Sequence, residues 1–71
     1  MTEQELSIKI GERIQKLRKQ KKLSIVDLAY ECGFEKSNLI RIEKGRTLPT
    51  TKTLLKISIA LDIDIKSLFD F

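Results

Sequence analysis

The chain has no histidine and no tryptophan, and among its 71 residues there are one cysteine, one proline, one tyrosine and three phenylalanines. Without histidine no side chain has an ordinary pKa near neutrality, and neither a nucleophile–base pair nor a phosphate-cradling loop is present, so an enzyme is the least expected reading. The lone Cys32 cannot close an internal disulfide, and it lacks the partners of a zinc finger, so it reads as a small core residue and no metal or cofactor is expected. No apolar run approaches the roughly 20 residues that span a bilayer. The opening Met1 to Glu5 lacks the basic-then-apolar layout of a secretory signal, which points to a cytoplasmic address and no membrane partner. Tyr30 and the three phenylalanines sit mostly at core-like positions, which leaves few rings to stack on RNA bases. Sustained alternation of apolar and polar residues is absent too, so no strand is expected; Asp62 to Ile65 reads better as a helix cap.

What is present is 41% hydrophobic and 34% charged residues, the balance of a compact helical domain, in a chain long enough for one modest core. The formal charge of +4 hides an asymmetry. Residues 9 to 56 hold 13 of the 14 Lys/Arg and five of the 10 Asp/Glu, a local net of 13 − 5 = +8. Such an excess favours a polyanionic partner, although a solvated positive face is also a common means of staying soluble.

The hydrophobic positions recur at helical spacing in five segments. Thr2 and Glu5 can form a capping box, after which Leu6, Ile10, Ile14 and Leu17 line one face up to about Lys21 or Lys22. Gly11 weakens that pattern and leaves a start near Ser7 open. Ser24 caps a second, two-turn helix carrying Leu28, Ala29 and Cys32, which Gly33 ends. Glu35 is a possible cap for a third helix, Lys36 to Lys44, with Leu39 and Ile42 inward and Gly45 beyond it. Thr50 caps a fourth, with Leu54, Ile57, Ser58 and Leu61 inward, and Asp64 a final short turn holding Leu68 and Phe69. The expected fold is all-α, a five-helix bundle in one domain over residues 1–71.

The second and third segments are separated by a few residues around Gly33, which forces a sharp corner. Ala29 is small where the helices approach, Gly33 can take the left-handed conformation, and Phe34, Leu39 and Ile42 pin the third helix inward. This is the pattern of a helix-turn-helix, at about residues 24–44. The stretches Ile10 to Arg18 (IGERIQKLR), Leu23 to Ala29 (LSIVDLA), Ile42 to Gly45 (IEKG) and Leu68-Phe69 resemble the XRE, or phage-repressor and Cro-like, helix-turn-helix family. The resemblance implies a lambda repressor-like domain that binds double-stranded DNA as a dimer, with the third helix in the major groove and two half-sites about one helical turn apart. It also implies a transcriptional regulator of bacterial or phage origin acting at the nucleoid, restriction-modification controllers being of similar size and layout.

Carried onto this sequence, the family's base-reading positions fall on Lys36, Ser37 and Arg41, whose donors suit guanine O6 and N7. Asn38, Lys44, Arg46, Thr47, Thr50 and Lys52 match its phosphate-contacting segment, and Arg18 and Glu43 its structural ion pair. Ile40, beside the base-reading set, is open between touching a thymine methyl and padding the helix. Ile25 departs from the pattern: many relatives carry Gln there, which bonds a phosphate and a side chain of the third helix. Ile59, Ile65 and Phe71 are apolar beyond what the core requires and are the expected dimer interface. An alternative of another class is an antitoxin-type protein-interaction module that also binds its own operator. No small-molecule ligand is indicated.

Overall fold

The computed structural model describes every residue from Met1 to Phe71, and all but one of its α-helices begin where a side chain satisfies the backbone. In the first helix, α1 (Glu3–Gln20), Thr2 Oγ1 accepts from the Glu5 N–H at 3.1 Å and Glu5 Oε1 from the Thr2 N–H at 3.3 Å. This reciprocal box satisfies two donors that a helix start leaves without partners, so α1 begins at Glu3 and not at Ser7. Ser24 and Asp27 form the same box at α2 (Ile25–Cys32), and Thr50 Oγ1 accepts from the Thr53 N–H at the start of α4 (Thr51–Leu61). The exception is α3 (Lys36–Glu43), where Glu35 occupies the cap position without a side-chain hydrogen bond.

The helices stop by one device. Gly33 takes φ +72°, its N–H donates to Tyr30 O, and the Phe34 N–H reaches back to Ala29 O at 2.8 Å. These paired backbonds satisfy the last carbonyls of α2 and turn the chain sharply into α3. Gly45, at φ +71°, ends α3 likewise, with Arg46 N–H bonded to Arg41 O at 3.0 Å.

The core takes side chains from every element: Ile10, Ile14 and Leu17; Leu28, Ala29 and Cys32; Leu39 and Ile42; Leu54, Ile57 and Leu61; and Leu68. In this core α1 packs on α3, and α2 on both α3 and α4. Gly11 is explained by the α1–α3 crossing. A Cβ there would fall 2.6 Å from Glu43 O and closer still to Ile42 O, so only hydrogen lets α1 lie against the end of α3. The Cys32 thiol points inward to Lys56 O at 3.8 Å, and burial pushes its pKa up to about 11.

Three expectations need correction. The fold has four α-helices, not five, because the last segment, Ile65–Phe69, is a 3-10 turn. Five residues are too few for two α-helical turns, and the tighter i to i+3 bond from Ser67 N–H to Asp64 O closes it instead. Consecutive residues of such a turn diverge, so Leu68 is fully buried while Phe69 is 44% exposed and is not core. Tyr30, on the outer face of α2, is 83% exposed and is not a core ring either. No helix is long and apolar enough to cross a membrane.

Candidate nucleic-acid interface

With Leu39, Ile42 and Glu43 buried, α3 turns Lys36, Ser37, Ile40, Arg41 and, at its cap, Lys44 the other way. The spacing of one and four residues makes these positions a single outer stripe. Lys36, Ser37, Asn38, Arg41 and Lys44 are exposed, while Ile40 is half-buried. An eight-residue helix held by Leu39 and Ile42 therefore presents two kinds of cation, a hydroxyl and one branched apolar side chain in a rigid row.

The two shoulders of α3 differ. On one side Asn38 and Arg41 border a groove of about 210 Å³ with Thr47, Leu48 and Thr50 from the loop before α4. On the other, Ile40 and Lys44 border a groove with Ser24 and Ile25 at the start of α2. Lys36 and Ser37 stand at the open amino end and line neither. Of the other residues expected to meet phosphates, Arg46 and Lys52 are exposed, whereas Thr47 is half-buried. Thr50 is already occupied: its hydroxyl accepts from Thr53 N–H at 3.2 Å and donates to Thr53 Oγ1 at 3.1 Å. The backbone N–H groups at the start of α4 thus offer more to an anion than the Thr50 hydroxyl does.

Behind the stripe, Arg18 Nε donates to Glu43 Oε2 at 2.8 Å and Arg18 Nη2 to Glu43 Oε1 at 3.0 Å. A third bond runs from Arg18 Nη1 to Leu23 O at 2.9 Å, so one buried guanidinium ties α1, the turn before α2 and α3 together. The pair is bidentate and mutually neutralising, which keeps the Glu43 carboxylate from opposing the cations outside.

Two features escaped the residue pattern. Asp27 closes the capping box of α2, and its bonds from the Ser24 backbone N–H and then the Ser24 hydroxyl hold its carboxyl below the usual 3.8. The spacing Ser24-x-x-Asp27 carried that signal, with Asp in place of the usual Glu. Arg13 donates to Ser67 O at 2.8 Å and pairs with Asp70 at 3.5 Å, pinning the 3-10 turn to α1; nothing in the local sequence marks so distant a bond.

The expected dimer residues do not form one patch. Ile59 is 69% exposed on the outer face of α4 and borders a groove with Glu31 of α2, whereas Phe71 borders another with Glu12 of α1. Phe71 also has a partner within the chain, since Lys9 Nζ lies 5.7 Å from its ring centroid. Ile65 is half-buried against the core. Leu55, one turn before Ile59, is an exposed apolar residue that the residue pattern did not single out, and Phe69, expected inward, is exposed as well. No three His, Cys, Asp or Glu side chains converge as a metal site would require.

The family model of a helix-turn-helix domain matches residues 11–70, nearly the whole chain. The chain belongs to the XRE-type helix-turn-helix family. Within that family it is 40% identical over 60 residues to the ImmF control region 10 kDa protein of Bacillus phage phi105, covering 84% of this chain and 67% of that one. It is 44% identical over 62 residues to the transcriptional regulator SlrR of Bacillus subtilis, covering 86% of this chain but 41% of SlrR. Against SinR of the same organism the identity is 40%, over 56% of SinR, so the chain spans about half the length of these two regulators. Among solved structures, the restriction-modification controller protein C.AhdI from Aeromonas hydrophila superposes with a TM-score of 0.86 at 35% identity, over 89% of this chain and 96% of that one. SinR, master regulator for biofilm formation, solved in complex with DNA, superposes with a TM-score of 0.80 at 40% identity, over 86% and 98%.

Proposed function

We propose that this helix-turn-helix protein is a sequence-specific regulator of transcription that binds double-stranded DNA with α3 in the major groove. The observation that carries the reading is the outer stripe of α3: Lys36, Ser37 and Arg41 are exposed on a helix whose other face is locked into the core. Rigid placement matters because base readout depends on donors meeting fixed base edges, and a helix of this width fits the major groove. Lys44 at the end of the stripe, and Arg46 and Lys52 with the N–H groups at the start of α4 beyond it, would meet phosphates and orient the protein without reading sequence. SinR, alike in fold and sequence, has been solved with DNA, which supports the same partner here.

The protein acts as a homodimer on a palindromic operator. Leu55 and Ile59, exposed on the outer face of α4, with Phe69 of the 3-10 turn, would supply the apolar surface for a two-fold contact, while Phe71 borders a separate groove beside Lys9. Selection of binding sites from random duplex DNA tests the reading as a whole. A recovered palindrome with half-sites about one helical turn apart is the expected result. Binding that shows no sequence preference at any salt concentration would overturn it.

A further inference from the structure

Ile40 is the one apolar member of the outer stripe of α3, four residues after Lys36 and four before Lys44, and its side chain is only half-buried. It is not alone. Ile25, the first residue of α2 and also half-buried, borders the same groove of about 420 Å³, along with Ser24, Lys44 and the Arg18–Glu43 pair. The wall of this groove is mostly hydrocarbon although it opens on the most basic face of the helix-turn-helix.

Given the DNA-binding reading above, on which this step rests, Ile40 must enter the major groove with Arg41 beside it. There the edges of the bases offer hydrogen-bond donors and acceptors almost everywhere, and a branched hydrocarbon facing them would only displace water. The one apolar group that the groove presents is the C5-methyl of thymine. Ile25 adds a second apolar wall from a different helix, so the methyl would be enclosed from two sides and not merely touched. The Glu43 carboxylate bordering the groove does not repel the DNA, because both its oxygens are engaged by Arg18. Lys44, at the rim, can meet the phosphate of the same nucleotide or its neighbour.

We infer that Ile25 and Ile40 together form a thymine-methyl pocket, making both of them specificity-determining residues for one base pair in each half-site. Ile25 therefore changes what α2 contributes: in place of a polar side chain that could bond a phosphate, it contributes to the reading of a base.

Replacing single thymines of a selected operator by deoxyuridine tests this directly, since that change removes one methyl and leaves the protein untouched. At one position per half-site, uracil should weaken binding by about fourfold, the equivalent of ~0.8 kcal/mol for one buried methyl, and elsewhere it should have no effect. Ile40→Ala and Ile25→Gln should each bind the thymine and uracil duplexes equally, with helical content and unfolding midpoint checked in parallel. Specific binding by the native protein that is insensitive to uracil at every position would overturn the pocket and leave the DNA-binding reading standing. A thymine preference that survives in Ile40→Ala would also overturn it. Failure to bind any duplex would overturn both.

Discussion

At the scale of single residues, Gly11 shows how packing can reverse a local preference. In an exposed helix, Gly→Ala stabilises by about 1 kcal/mol. At Gly11 the added methyl would meet the carbonyl oxygens of Ile42 and Glu43, which belong to the backbone of α3 and cannot swing aside. Gly11→Ala is therefore expected to destabilise the fold by about 2 kcal/mol net, read as a lower urea midpoint. The Arg18–Glu43 pair is the other feature on which the α1–α3 contact depends. Glu43→Ala would leave a buried guanidinium with only Leu23 O as partner, and roughly 3–5 kcal/mol of stability should be lost in the same assay. Replacing both partners by apolar residues of similar volume should recover most of it. Within the outer stripe, Arg41 and Lys44 are predicted to behave differently. Arg41→Ala should relax preference at one base pair per half-site, while Lys44→Ala should weaken specific and random DNA alike and flatten the dependence of log affinity on log salt. Equal losses on both kinds of DNA for Arg41→Ala would remove it from base reading.

Among the elements, α2 depends most on its ends. It has only eight residues, too few for a stable isolated helix, and its first turn rests on the Ser24–Asp27 box and its last on Gly33. Because the two Ser24 bonds lower the Asp27 pKa on folding, the ionised form favours the native state. That contribution is present above pH 3.8, the ordinary value, and is lost as the pH falls through the lower native value. Ser24→Ala should cost about 1 kcal/mol at neutral pH, and the difference between variant and parent should shrink as the pH falls below 3.8. Thermal unfolding followed by circular dichroism at pH 7 and pH 3 gives both values, and an unchanged difference would mean that the cap acts without the carboxylate. The 3-10 turn illustrates the opposite limit. Its local signal is one Asp64 cap, and it is held in place by Leu68 in the core and by the Arg13 bond to Ser67 O.

For the whole molecule, the question is which surface a second copy could cover. Lys36, Arg41, Lys44 and Arg46 are exposed on α3 and just after it, whereas Leu55, Ile59 and Phe69 are exposed on α4 and the 3-10 turn. Ile59→Lys should shift the sedimentation coefficient at micromolar concentration from dimer to monomer and reduce affinity for a full palindrome more than for a half-site. A parent protein that sediments only as monomer, with and without operator DNA, would remove the dimer from the proposal. The helix limits and most of the core were legible in the sequence, because caps and 3.6-residue periodicity act within a few residues. Thr2, Ser24, Gly33 and Thr50 each mark a boundary through a bond to a near neighbour. The fates of Phe69 and Tyr30 were not legible, since hydrophobicity alone does not say which side of a finished bundle a side chain faces.

The absence of histidine and the single cysteine bounded the chemistry before any fold was known, and the spacing of Ser24, Ala29, Gly33, Leu39 and Ile42 was enough to establish the helix-turn-helix. Those conclusions follow from composition and short-range order, which a linear chain records in full. Only the tertiary structure decided why Gly11 must be glycine, that Arg13 pins the last segment to α1, and that Ile25 and Ile40 share one groove. Each of these concerns where separate elements come to rest against one another, a matter of packing angle and approach distance that residue spacing along the chain does not encode.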